Sequence, residues 1–400
     1  MCPGQDDERG RVEPLDPRIL DLLGEFPREL FDERFYVSWE LVHRYGQQWA
    51  LRLARDLGLE PELAEPRTAD ELIARHGFVP AARPAVVGLL RQLVAQGVVS
   101  ADAAAGGPAH YVLNGPLPAT DLAAVRATCL AVDARNAPSL DLLDLAGGAW
   151  PAVAAGRTRG QEALFGLGQS RLWLAYFAND NPSYAINNRL AAIAAVHRLP
   201  PGRLRILELG GGGGSGSEAL LTELARVGRL ADVESYAFTE PSPFLRRGAE
   251  RRLRAAHPAL ALTVAGLDVD LPLAEQGVAP GSTDLVYAVN VLHVAHDLAA
   301  TLAALRDALA PGGVLIAAEA MRNHAREPLP TELPFLLLES YWNVVLDAEL
   351  RPVPGFLSPV QWRRLLGEAG FTGVEVVPDH ERIRGIYPRF STGVLCGRRP

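Results

Sequence analysis

The apolar positions of this chain follow two rhythms. Over residues 18–100 they recur at three- and four-residue intervals, in LVHRYGQQWALRLARDLGL, TADELIARHG and RPAVVGLLRQLVAQGVVSA. That spacing predicts amphipathic helices. A short β-like stretch, AHYVLNGP, follows, and three helices with a β wing predict a winged-helix-like unit. Helical spacing resumes over 119–197 and ends in NPSYAINNRLAAIAAVHRL. The rhythm changes at LPPGRLRILELG. Short strand-like runs at 204–210, 234–240, 261–267, 284–290 and 314–320 then alternate with helical stretches. Such alternation predicts an α/β domain, a parallel sheet covered by helices on both faces. The predicted organisation is a flexible tail over 1–17, a mostly helical domain over 18–195 and a Rossmann-like sheet domain over 196–400. Within the last, TELPFLLLESYWNVVLDAELRPVPGF breaks the alternation. Residues 321–357 are therefore expected to form a cap at the C-terminal edge of the sheet, where open α/β sheets bind ligands. Its Phe335, Tyr341 and Trp342 could line a substrate pocket or belong to the core.

Composition narrows the function. The hydrophobic fraction of 48% fills real cores, and the formal charge of −8 argues against nucleic acid. All 39 basic residues are arginine. Chemistry that needs lysine, a pyridoxal Schiff base or a P-loop, is therefore excluded. Cys2, Cys129 and Cys396 lie far apart, without metal-ligand spacing, and are expected to be free thiols in a reducing cytoplasm. The first residues, MCPGQDDERGRVEPLDP, carry no signal-peptide core, and no apolar run is long enough for a membrane span.

ILELGGGGGSGSEAL reads as strand, glycine turn and helix, a backbone that can approach a nucleotide closely. Five consecutive glycines satisfy GxGxxG in several registers, so context must choose the cofactor. An NAD site expects an acid about 20 residues on. Here the next strand-ending acid is Glu240, which lies later, and Asp268 ends the strand after it. Together with the APGG before the fifth run, these features resemble class I methyltransferases dependent on S-adenosylmethionine (SAM). The resemblance implies SAM as cofactor and S-adenosylhomocysteine as product. It places Glu208, Gly210, Gly212 and Gly214 in the first motif, Glu240 on the ribose hydroxyls and Asp268 on the adenine amine. Val269 and Asn290 complete the expected cofactor contacts. Tyr184, Asn187 and Asn188 lie where a lid helix could cover the cofactor.

The fourth and fifth strand-like runs, DLVYAVN and VLIAAEA, should be neighbours about 4.8 Å apart. His293, just past the first, and Glu319, at the end of the second, would then meet on the C-terminal edge as a base and the carboxylate that orients it. The stretch from LDVDLPLAEQ through NVLHVAHDL to VLIAAE, with PGFLSPVQWRRLLGEAGF further on, resembles the C-methyltransferase domains of polyketide synthases. In that family a histidine and a glutamate at these positions are taken to enolise a β-ketoacyl thioester. The resemblance implies C-methylation of an activated acyl substrate in natural-product biosynthesis, with an acyl carrier protein delivering it in trans. Glu240 replaces the aspartate usual in the family, keeping the charge. His296 and Asp297 also depart from it. His296 could join His293 in holding a divalent metal, and Asp297 reads as a helix cap. Small-molecule O-methyltransferases carry a similar winged-helix-like unit for dimerisation, so a homodimer is expected. An O-methyltransferase with His293 as general base and a non-catalytic SAM-binding regulator remain the alternatives.

Overall fold

A computed structural model describes residues 14–103, 107–166 and 168–400. They divide into two units. One comprises Glu33–Tyr176 with Arg326–Trp342; the other comprises Pro14–Asp32, Phe177–Ala325 and Asn343–Pro400.

The first unit is mostly helical. Its longest helix, Glu33–Asp56, buries Leu41, Val42, Tyr45 and Leu53 along one face. Thr68 caps the helix Ala69–His76 in a reciprocal box with Glu71, and Gly77 ends it in the left-handed conformation. The next helix, Arg83–Ala95, stops short of the helical run predicted through residue 101. Gly97, at φ 72°, turns the chain, and Val99 starts a strand. Strands β1 (Arg67–Thr68), β2 (Val99–Ala103) and β3 (Ala109–Leu113) form an antiparallel sheet in the order β1-β3-β2. Two helices followed by this hairpin make the winged-helix-like arrangement.

The expected cap is not one element. Its middle, Arg326–Trp342, belongs to the first unit. Glycines there give it room: a Cβ on Gly46 would stand 2.5 Å from the Pro330 oxygen, and one on Gly160 would stand 1.8 Å from the Leu337 oxygen. Gln92 donates to the Leu329 carbonyl at 2.6 Å. Phe335 lies between Trp173 and Tyr341, with centroids 6.4 and 5.7 Å away, and Tyr341 is buried.

The second unit is built on a seven-stranded sheet. Its strands are β4 (Leu204–Leu209), β5 (Val233–Thr239), β6 (Leu262–Ala265), β7 (Thr283–Val289), β8 (Leu309–Ala320), β9 (Thr372–Val377) and β10 (Thr392–Arg398), in the order β6-β5-β4-β7-β8-β10-β9. The five strand-like runs of the sequence pair in parallel, with β7 beside β8. The sheet as a whole is mixed rather than parallel, because β10 runs antiparallel to both β8 and β9. The connection over 378–391 is shorter than the helical crossovers and suits antiparallel neighbours.

Strand alternation separates two faces. Leu207, Leu209, Val286, Ala288, Leu315 and Ala317 join Leu302, Leu305, Trp362 and Leu366 in one apolar core. Glu208 and Tyr287, a register pair, therefore face the other way. The helix Pro182–Arg198 packs against β7, β8 and β10, and its Asn187 Oδ1 accepts from Thr392 at 2.5 Å. Residues 1–13 of the expected tail lie outside the described residues, as does Cys2. Pro14–Pro17 are not loose: Leu15 is buried, and Asp16 caps the short helix Pro17–Leu22 while its N–H donates to the Tyr387 hydroxyl at 3.0 Å.

Gly160→Ala should destabilise the first unit by about 1–3 kcal/mol or more, the usual range for forced overpacking. A melting temperature unchanged from the parent would show that the Leu337 backbone does not occupy this position.

Candidate active site

β4 delivers the chain into the glycine turn. Gly210, Gly212 and Gly214 have φ of 55°, 53° and 87°, which side chains rarely adopt. Gly214 then begins the helix Ser215–Arg226, so its first N–H groups open toward the turn. A Cβ on Gly210 would come within 2.7 Å of the Val291 side chain. The glycine turn thus packs directly on the segment that carries His293.

Four residues surround this edge, each held differently. Glu240, at the end of β5, is buried; its Oε2 accepts from the Gly212 N–H at 3.0 Å and its Oε1 from the Ser242 N–H at 2.8 Å. Burial pushes its carboxyl above the usual range, against the pull of those two N–H groups. Asp268 is exposed; the Gln276 side chain accepts from its N–H at 2.8 Å and donates to its carbonyl at 2.7 Å. Val269 is half-buried, and its carbonyl accepts from Thr301 at 3.3 Å. Asn290 adopts φ 54°, and no other described residue except glycine has positive φ. Asparagine tolerates that conformation. Here it lets the side-chain Oδ1 accept from the Ala320 N–H at 2.9 Å while its own N–H donates to the Ala318 carbonyl at 2.8 Å. The end of β7 is thereby stitched to β8.

Glu208, expected among the cofactor contacts, is engaged by groups of the protein itself. Its side chain lies beneath the helix Ser215–Arg226, buried, where its Oε2 accepts from Ser217 and, at 2.9 Å, from Tyr236. Burial raises this carboxyl to about 7. It ties the helix start to β4 and β5 with groups already engaged.

His293 and Glu319 meet. The imidazole Nδ1 lies 2.6 Å from Glu319 Oε2, with the two side chains 7% and 0% exposed. Glu319 Oε1 accepts from the N–H groups of Val291 and Leu292 at 3.1 and 2.7 Å. A carboxylate taking two backbone N–H bonds is an acceptor for the ring as well, which assigns the proton to Nδ1. Phe356 covers the imidazole with ring centroids 4.3 Å apart. The second histidine does not share a helix face with the first. The 3₁₀ turn Leu292–Val294 ends at Ala295 in an extended conformation. His296 is exposed, and its Nδ1 is paired with the Asn343 carbonyl at 2.8 Å. Among the described residues no group of three His, Cys, Asp or Glu side chains could hold a metal. Asp297 caps the helix Leu298–Ala308, accepting from the Ala300 N–H at 3.0 Å.

A family model described as "Methyltransferase domain" matches residues 207–315. The highly reducing polyketide synthase valA of Aspergillus terreus is 40% identical over 202 residues, 48% of this chain and 8% of that protein. Polyketide synthase ThaQ of Burkholderia thailandensis is 31% identical over 231 residues, 56% of this chain and 11% of that protein. The chain therefore spans only about a tenth of the curated relatives it matches. Over the whole fold it resembles the CurJ carbon methyltransferase, with TM-score 0.77, 22% identity and 96% of both chains covered. The DszA carbon methyltransferase gives TM-score 0.73 at 22% identity over 97% of both chains. Residues 207–315 thus match a methyltransferase domain, and the chain has the fold of carbon methyltransferases.

The chain's own residues suit SAM. The glycine cradle admits close backbone approach, and the buried Glu240 at a strand end is a carboxylate to which the two hydroxyls of a ribose could donate. Among the described residues no helix is long and apolar enough to cross a membrane. Sequence reasoning missed one buried residue of the site, Arg351, which is 3% exposed and donates to the His293 and Ala295 carbonyls. Nothing in RPVPGF marks it, since its partners are backbone atoms far away in sequence.

The raised Glu208 carboxyl gives a signed pH prediction. Unfolded, such a group loses its proton near about 4.3; folded, it keeps it to about 7. Between those values the folded state binds more protons, so this group's contribution to stability is lost as pH rises through 7. Melting temperatures of the parent and Glu208→Gln should agree below about pH 4 and diverge as pH rises to about 7, with the variant then the more stable. Parallel curves would contradict the assignment.

Proposed function

We propose that this methyltransferase C-methylates an activated acyl thioester of the β-keto or malonyl type, with His293 as general base and Glu319 as its orienting partner. The observation that carries this is the 2.6 Å contact between His293 Nδ1 and Glu319 at the ends of adjacent strands. With Nδ1–H donated to the carboxylate, Nε2 is the nitrogen that removes a proton from the carbon flanked by two carbonyls. The buried carboxylate stabilises the imidazolium that results. Such a carbon is acidic enough for imidazole to deprotonate, and a positioned base contributes about 10²–10⁴-fold. SAM supplies the electrophilic methyl group that the enolate receives. Phe356 against the imidazole keeps water from one side of the ring.

In the same reading Gly210, Gly212 and Gly214 hold the cofactor by their backbone, Glu240 takes the ribose hydroxyls, and Asp268 and Val269 meet the adenine. Asn290 shapes the edge beside them, and Glu208 supports the turn from below. Similarity to polyketide synthases supports an acyl chain as substrate, delivered here by a carrier protein, similarity to two carbon methyltransferases supports carbon as the acceptor, and the helical unit serves dimerisation. The side-chain partners of His293 and His296 favour a proton-transfer site over a metal pair.

Incubation with 13C-methyl SAM and a panel of β-ketoacyl, malonyl and phenolic compounds tests the reading. A C-methyl signal from a β-ketoacyl thioester is expected, and a methoxy signal from a phenol would overturn it. His293→Ala and Glu319→Gln should each lower turnover by about 10²-fold or more while SAM affinity is retained. Full turnover in either variant removes that residue from the mechanism.

A further inference from the structure

We propose that Arg351 is a positioning residue for the base, and that Arg351 and Glu319 hold the His293 turn between them from opposite ends. This rests on the reading of His293 as base. The turn Leu292–Val294 is three residues of 3₁₀ helix, too short to hold its own shape. At its start the Val291 and Leu292 N–H groups donate to Glu319 Oε1. At its end Arg351 Nη2 donates to the His293 carbonyl at 2.5 Å, and Nη1 donates to the Ala295 carbonyl at 2.7 Å. An anion at the N–H end and a cation at the carbonyl end both match the peptide dipoles of the turn. His293, Ala295 and Arg351 are all buried, so loss of these bonds would leave buried carbonyls without them. The planar guanidinium offers the two carbonyls a pair of donors in fixed geometry.

The arginine is itself fixed. Asp347 and Arg351 exchange backbone N–H bonds at 3.0 Å in each direction. Asp347 Oδ1 accepts from the Glu349 and Leu350 N–H groups at 2.9 and 2.7 Å, and Gln361 Nε2 donates to the Leu350 carbonyl at 2.8 Å. The same stretch straps the turn twice more. The Val345 N–H donates to the His296 carbonyl at 2.7 Å, and the Asn343 carbonyl pairs with His296 Nδ1 at 2.8 Å. Arg351 touches no reacting atom. It acts by fixing the imidazole against Glu319, and with it the direction of Nε2, where a misplacement of about 1 Å costs about 10²-fold.

The test reads deuterium exchange at the acidic carbon of a β-ketoacyl thioester with S-adenosylhomocysteine present, alongside turnover, SAM affinity and melting temperature. Arg351→Gln should lower exchange and turnover about 100-fold with SAM affinity within about twofold of the parent. Arg351→Lys, which can still serve one carbonyl, should recover part of the loss. In a His293→Ala background, adding Arg351→Gln should cost nothing further, because the arginine acts through the histidine. Exchange near parental in Arg351→Gln, when His293→Ala has lost it, overturns the proposal. So does a fall of exchange, SAM affinity and melting temperature together in both Arg351 variants. Exchange retained in His293→Ala overturns the base assignment itself and the positioning role with it.

Discussion

A carboxylate with no exposure to water must be satisfied by the protein around it, and Glu319 is satisfied by the segment that carries the proposed base. Two backbone N–H groups reach one of its oxygens and the His293 ring reaches the other. Breaking any of these leaves a buried charge short of a partner, which costs far more than an ordinary hydrogen bond gains. The turn after β7 is therefore not free to choose its shape. It is bound to the end of β8, and the imidazole is bound with it.

The surrounding structure holds that arrangement in place. Asn290 accepts a left-handed conformation so that β7 can end while its side chain continues the ladder to Ala320. Gly210 lacks a side chain where Val291 comes close, so the nucleotide turn and the histidine turn share a boundary. Two further buried carboxylates sit on this edge with different surroundings. Burial raises both: Glu240 against the pull of two backbone N–H groups, and Glu208, beneath a helix, to about 7 against the pull of two hydroxyls. Neighbouring strands thus carry one acid held by backbone N–H groups and one held by side-chain hydroxyls.

The five parallel strands, the glycine turn, the strand-end acids and the helix cap at Asp297 were legible because each has a local signal: a two-residue period, a run of glycine, a carboxyl before an apolar helix. The last two strands, β9 and β10, carry weaker signals, and their antiparallel pairing depends on partners they find only in the folded sheet. The stretch over 321–357 reads as one cap because it breaks the strand–helix alternation after a late strand. Its middle belongs elsewhere because Gly46, Gly88 and Gly160 leave space for it, a property no local pattern announces.

What the sequence determined by itself was the class of site: a nucleotide turn followed by acids at successive strand ends, then a histidine and a glutamate at the ends of two strands in succession. Those features depend on short-range periodicity and on the order of strands along the chain. Only the tertiary structure decided which groups each of them meets. Glu208 meets Ser217 and Tyr236 because alternation on β4 points it under a helix, and His296 separated from His293 because an extended Ala295 intervenes. Arg351 joined the site because carbonyls 56 and 58 residues away came within reach of its guanidinium. Side-chain to backbone bonds across such distances leave no pattern in a sequence, since any residue supplies the carbonyl.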